Sequence, residues 1–74
     1  MKQSVRKEVR EIIKKENLNC SIKEFQNKVN WYDISHYQKL SEDFIREFQS
    51  KVNWEDISVD QKLSENFIRE FQYK

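Results

Sequence analysis

Few residues in this chain of 74 have the type and spacing that catalysis or metal binding needs. There is one histidine, His36, and one cysteine, Cys20. Metal sites of the zinc type draw several Cys, His or carboxylate ligands at characteristic spacings, and no such spacing is written here. With no glycine in the chain, neither a Gly-rich phosphate loop nor a Gly-centred carboxylate loop for calcium can form. The adjacent carboxylates Glu42/Asp43 and Glu55/Asp56 remain as acid–base candidates. Each pair sits where a helix begins, and there the dipole and capping account for negative charge. A reactive role for Cys20 needs a cationic neighbourhood that the sequence does not offer. The expectation is a chain without catalytic residues, without a metal and without a cofactor, hence not an enzyme. What is left for recognition is aromatic and charged. Tyr32, His36 and Tyr37 stand at i, i+4 and i+5 and can share one helix face, with Glu55 and Asp60 near the corresponding places further on. Arg6, Lys7, Arg10 and Lys14 form a second, basic set.

These residues are positioned by a motif written twice. FQNKVNWYDISHYQKLSEDFIRE (25–47) is followed without a gap by FQSKVNWEDISVDQKLSENFIRE (48–70), and 18 of the 23 positions are identical. A third copy opens at Phe71. A strict period of this length is the mark of an array in which each unit buries its apolar face against the next. Ser41 and Ser64 read as N-caps, with Glu42, Asp43 and Glu65 in the first turns. Phe44, Ile45, Phe48 and Val52, and then Phe67, Ile68 and Phe71, follow at helical spacing and point inward. Asn30 and Asn53 cap shorter helices that carry Trp31 with Ile34 and Trp54 with Ile57, and Asp33 and Asp56 take the capping-box position. Ser35-x-x-Gln38 and Ser58-x-x-Gln61 repeat the capping-box pattern, so the serine is expected to restart or bend the short helix. Each unit thus reads as a short helix, a tight turn and a longer helix. The expected fold is all-α: an N-terminal capping helix followed by tandem 23-residue helical hairpins, as a short α-solenoid or compact bundle. No alternation long enough for a strand is present, and neither Gly nor Pro is available for a hairpin turn.

The expected organisation is a single domain, 1–74, with a basic amphipathic capping helix at 1–17, a degenerate half-repeat at 18–29, and repeats at 30–52 and 53–74. Val5, Val9, Ile12 and Ile13 mark the inner face of the first helix. Residues 1–16 carry a net charge of +3 and the rest −2. The basic face is therefore either a recognition surface or the solvated outside of a cap. The degenerate unit is read as a helix from Asn19 to Val29, because Ile22, Phe25 and Val29 precede Ile45, Phe48 and Val52 by one period.

A chain this short has a thin stability margin. The two tryptophans and five phenylalanines offset that, and at regular spacing they argue against disorder despite a mean hydropathy of −1.04. A net charge of +1 generates no global field toward nucleic acid or membrane. One cysteine and the lack of a secretory or membrane-spanning apolar run suggest a cytoplasmic location. Ala, Gly and Pro, whose codons are GC-rich, are absent while Lys, Asn, Ile and Phe abound, the bias of an AT-rich genome.

The run W-x-x-I-S-x-x-Q-x-L-S-x-x-F-I-x-x-F, at 31–48 and again at 54–71, resembles the short tandem NWxxISxxQKLSExFIREF repeats of uncharacterised proteins from large DNA viruses, bacteriophages and bacterial mobile elements. The resemblance covers about two-thirds of the chain and transfers no catalytic residue. It implies a mobile-element origin, in line with the codon bias. It also implies a small protein that binds and blocks a host defence or regulatory complex.

Copies one and two differ at five positions: Asn27/Ser50, Tyr32/Glu55, His36/Val59, Tyr37/Asp60 and Asp43/Asn66. Since the shared positions hold nearly every apolar residue, the variable ones should lie on the surface. Three of them make the Tyr32–His36–Tyr37 patch, and tyrosine is enriched where proteins bind proteins. The leading expectation is a non-catalytic protein-interaction module acting on a host protein or complex by surface occlusion. The alternative is a small helix-turn-helix-like nucleic-acid-binding regulator. Against it, the helices that would enter a groove balance their Lys and Arg with Glu and Asp, and only the N-terminal helix is basic enough. Self-association through the open end of the array is a further expectation.

Overall fold

The computed structural model describes residues 1–71. It is all-helical, with six helices and no strand among the described residues: α1 (Gln3–Lys15), α2 (Phe25–Lys28), α3 (Trp31–Tyr37), α4 (Glu42–Glu47), α5 (Trp54–Asp60) and α6 (Glu65–Phe71). The expectation of all-α structure holds. The end of the second expected repeat, residues 72–74, lies outside the described residues.

Helix α1 buries Val5, Val9 and Ile12 on one face and ends without glycine. Asn17 takes the left-handed conformation at φ 54°. Leu18 N–H then donates to Ile13 O at 2.9 Å and Asn17 N–H to Lys14 O at 3.2 Å, a Schellman closure that satisfies carbonyls left open by the helix end. Asparagine tolerates this φ better than other side-chain-bearing residues. Leu18 and Ile13 both pack against the core beside it.

The caps form where the sequence places them. Ser41 Oγ accepts from Phe44 N–H at 3.1 Å and Ser64 Oγ from Phe67 N–H at 3.2 Å. Asn30 Oδ1 accepts from Asp33 N–H, and Asn53 Oδ1 from both Glu55 and Asp56 N–H. Three other expectations require correction. The serine at 35 neither bends nor restarts a helix: α3 runs through it, and its side chain is fully buried against the next element. In the first pair the second helix is not the longer one, since α4 has six residues against seven in α3; Phe48 and Val52 reach the core from the turn that follows. The segment 19–29 is not one helix. It opens with a turn at 22–24 and only Phe25–Lys28 is α-helical, because the box that starts it is Ser21–Glu24. There Ser21 N–H donates to Glu24 Oε1 at 3.2 Å and Glu24 N–H to Ser21 Oγ at 3.3 Å.

Phe25, Ile34, Phe44, Ile45, Ile57 and Phe67 are completely buried. Around them the aromatic rings make edge and tilted contacts, which favour these pairs beyond the area they bury. Phe25 meets Trp31 at 5.7 Å and Phe44 at 6.1 Å, while Trp54 stacks on Phe71 at 5.2 Å. Each tryptophan keeps its polar end satisfied in the same way: Trp31 Nε1–H donates to Gln26 O and Trp54 Nε1–H to Gln49 O, five residues upstream in both cases. Ile68 departs from expectation. It is 52% exposed, whereas Ile45, one period earlier, is fully buried. A further copy of the unit follows Ile45 in the chain, whereas Ile68 lies in the last copy and lines a groove.

Side-chain hydrogen bonds tie equivalent places together. Gln61 Nε2 donates to Ser35 O at 3.0 Å and Gln38 O at 2.7 Å, and its Oε1 accepts from Leu40 N–H at 3.0 Å. Asn53 N–H donates to Ser35 Oγ. Glu42 accepts from Ser64 N–H and Oγ, and Glu8 of α1 accepts from Ser41 N–H and Oγ in the same manner. Gln38 Nε2 donates to Glu16 Oε1. Thus Glu8 of α1 supplies to Ser41 of the first copy the carboxylate that Glu42 of the first copy supplies to Ser64 of the second.

Candidate functional site

Helix α3 is capped by Asn30 and held inward by Ile34 and Ser35. Tyr32, His36 and Tyr37 therefore project from its outer side. Tyr32 is 69% and Tyr37 75% exposed, and His36 is also exposed. The imidazole lies edge-on to the Tyr37 ring with centroids 4.3 Å apart. His36 Nδ1 is 2.7 Å from Asp60 Oδ2 on α5, a contact that is ionic when the imidazole is protonated. Val59, the counterpart of His36, is exposed as well. Nine of the ten residues at the five variable positions are exposed and Asp43 is half-buried, as expected if packing holds the shared positions fixed.

The structure brings His36, Tyr37 and Asp60 together around a hollow of about 460 Å³ that Lys39, Leu40 and Lys62 also line. Tyr32 stands one helical turn before His36 on the same helix. Glu55 is separate. It lines a larger groove of about 670 Å³ with Trp54, Ser58, Gln61, Leu63 and Ile68.

A constellation that sequence spacing did not indicate includes the histidine of this patch. His36, Asp56 and Asp60 each place a potential ligand atom within 4.8 Å of the others. The histidine and the carboxylates are 20 and 24 residues apart in sequence, so only the pairing of α3 with α5 assembles them. As a ligand set for a divalent ion it offers one nitrogen and two carboxylates, and the contact between His36 Nδ1 and Asp60 already accounts for part of the approach.

The basic residues of α1 occupy one outer face. At 3.6 residues per turn, Arg6, Lys7, Arg10 and Lys14 fall within an arc of roughly 100°, away from Val5, Val9 and Ile12. Lys7, Arg10 and Lys14 are exposed and Arg6 half-buried. Lys7 borders a hollow that also holds Glu8 and Glu11. Cys20 is half-buried and packs against the core.

The acidic pair Glu42/Asp43 is occupied by structural contacts. Glu42 serves Ser64, while Asp43 meets Lys2 and Arg46, each at 3.4 Å. Arg46 also reaches Glu70 with Nε and Nη2 and lies 5.1 Å over the Phe67 ring. Those hydrogen bonds to Glu70, and then the nearby carboxylates, raise its pKa further. Glu24 moves the other way: the backbone N–H and hydroxyl of Ser21 hold its carboxyl below the ordinary glutamate value, with Lys28 adding to the effect. No helix among the described residues is long and apolar enough to cross a membrane.

No family model matches the chain, and neither a curated protein nor a solved structure is similar to it.

Proposed function

We propose that this chain is a non-catalytic protein-interaction module, built of tandem helical-hairpin repeats behind a capping helix, whose contact surface is the α3–α5 ridge. The observation that carries the reading is the state of Tyr32, His36 and Tyr37. Two large aromatic side chains stand mostly in solvent, and the histidine beside them is fixed by Asp60 from the neighbouring helix. Exposed tyrosine beside an anchored polar group, ringed by Lys39 and Lys62, supplies the aromatic centre and charged rim that protein interfaces use. These side chains also sit at the positions where two otherwise nearly identical copies diverge, so the common scaffold presents different chemistry from each unit. The resemblance of the repeat to those of phage and virus proteins supports a host protein or complex as the partner and occlusion of its surface as the mode of action, with a defence or regulatory complex the sharpest case.

The test is affinity capture from host lysate treated with nuclease. The wild-type chain is compared with a variant carrying Tyr32→Glu, His36→Val and Tyr37→Asp, which makes copy one match copy two at exposed positions. A stoichiometric protein held by the wild type and lost by the variant supports the reading. The same protein retained by the variant refutes the ridge as the site.

One observation favours a second reading. Arg6, Lys7, Arg10 and Lys14 share an outer face of α1, and a cationic stripe of that kind can follow a phosphate backbone. Under that reading the chain is a small nucleic-acid-binding regulator. Nucleic acid would be recovered in the absence of nuclease, released by salt, and lost on charge reversal at Arg6 and Arg10.

A further inference from the structure

The groove formed by α5 and α6 is lined by Trp54, Ile57, Leu63, Phe67, Ile68 and Phe71. Its polar and apolar groups have counterparts one period earlier, and those counterparts are all engaged. Ser35 is fully buried, with its Oγ accepting from Asn53 N–H and its carbonyl from Gln61; Ser58 is exposed and its hydroxyl turns back to Glu55 O of its own helix at 2.9 Å. Glu42 caps Ser64; Glu65 is exposed and pairs with Arg69 four residues on, at 2.8 Å. Arg46 reaches across to Glu70; Arg69 closes on Glu65. Leu40 is 6% exposed and its N–H is held by Gln61; Leu63 is half-buried. Ile45 is fully buried and Ile68 52% exposed.

We infer that this groove is a docking surface for one further unit of the same helical repeat, carried by a partner chain. The contact between copies one and two is the template. The incoming unit presents an Asn-capped short helix whose backbone N–H meets the Ser58 hydroxyl. Its glutamine, placed as Gln61 is here, bridges the carbonyls of Ser58 and Gln61 and accepts from Leu63 N–H. Its serine and glutamate, placed as Ser64 and Glu70, take Glu65 and Arg69 away from each other. Its apolar side covers Ile68. The charges are complementary, since the groove offers an anion to a helix N-cap and a cation to a carboxylate. A second copy of this chain does not meet the requirement. The matching side of its first repeat is covered by α1 through Glu8 and Glu16, and that of its second repeat by the first. The inference rests on the repeat reading of residues 30–71 and not on the aromatic ridge, so the two surfaces fail separately.

The probe is a synthetic peptide with the sequence of residues 53–74, titrated into the isotope-labelled full chain and followed by NMR. Saturable shifts at the amides of Ser58, Leu63, Glu65 and Ile68 are expected. Ile68→Asp in the full chain, at a position already half in solvent, should abolish them. Replacing the peptide's glutamine at the position of Gln61 by alanine should weaken binding at least ~10-fold, as expected for a loss of about 1.4 kcal/mol or more. Absence of shifts at millimolar peptide, or shifts that survive Ile68→Asp, overturns the inference. Because a free unit must order as it binds, residues 52–74 are also joined after Lys74, with Val52 kept so that the 23-residue period continues, where the unit's effective concentration is in the millimolar range. Failure of the joined unit to protect the Leu63 amide from exchange overturns the docking chemistry, and protection there without binding by the free peptide overturns a partner chain as its source. Concentration-dependent mass of the unmodified chain that Ile68→Asp abolishes would overturn it in favour of a second copy. The triple ridge variant should bind the peptide unchanged.

Discussion

Replacing Gln61 by alanine removes one side chain and three inter-element hydrogen bonds. Its amide donates to Ser35 O and Gln38 O and accepts from Leu40 N–H, at 2.7–3.0 Å. A hydrogen bond contributes about 0.5–1.5 kcal/mol net, and a buried donor left without a partner costs roughly 1–3 kcal/mol. Leu40 is 6% exposed, so its N–H has little access to water once the glutamine is gone. The expected loss is ~2–4 kcal/mol, a large share of the stability of a domain this small. In a thermal melt followed by circular dichroism that is a drop of roughly 8–32 °C, at about 4–8 °C per kcal/mol. Gln38 is the internal control. It stands one period earlier, is also half-buried, and makes a single side-chain bond, to Glu16. Gln38→Ala should therefore cost only about 1 kcal/mol. Gln61→Glu keeps an acceptor for Leu40 but aims a carboxylate at two carbonyl oxygens, and should be at least as damaging as alanine. Equal losses for Gln38→Ala and Gln61→Ala would refute the reasoning that copy two is locked to copy one through this amide.

Ile45→Ala should cost ~2–5 kcal/mol in urea denaturation, as for a fully buried aliphatic side chain, while Ile68→Ala should cost no more than about 1 kcal/mol because half of that side chain is already in water. Ser41→Ala removes a cap on Phe44 N–H and a partner of Glu8; a loss of about 1–2 kcal/mol is expected, with faster exchange of the Phe44 amide. In an NMR titration the Glu24 carboxyl should ionise at lower pH than an ordinary glutamate, because Ser21 N–H and Oγ stabilise the charged form. A depressed folded-state value contributes stability that is fully present above the ordinary glutamate range and is lost as pH falls through the lowered value. Ser21→Ala should accordingly raise the Glu24 value and flatten that acid-side slope.

The parts of the structure that were legible in the sequence are those decided locally. The caps at Ser41, Ser64, Asn30 and Asn53 depend on residues within three positions, and the apolar spacing that buries Phe44, Ile45 and Phe67 is a property of one helix turn. The parts that were not legible depend on what lies one period away. Ser35-x-x-Gln38 and Ser58-x-x-Gln61 look alike as capping boxes, yet Ser35 is buried under Asn53 and Gln61 while Ser58 faces solvent. Ile68 repeats Ile45 in sequence and not in surroundings. A repeat places one residue type in two environments, and local pattern cannot separate them. The same limit hid the cluster of His36, Asp56 and Asp60, whose members meet only because α3 and α5 pack side by side. The variable positions were the informative signal for the candidate site. Where packing allows two near-identical copies to differ, the side chain is free to face outward, and Tyr32, His36 and Tyr37 do so.

The most direct measurement on the proposed function is hydroxyl-radical footprinting of the chain, free and in complex with the protein it captures. Exposed tyrosine and histidine oxidise readily, so the ridge reports on its own occupancy. The account predicts that Tyr32, His36 and Tyr37 become protected in the complex while Met1 and Ile68, exposed elsewhere on the surface, oxidise as before. Unchanged oxidation at all three ridge residues in a saturated complex would contradict it.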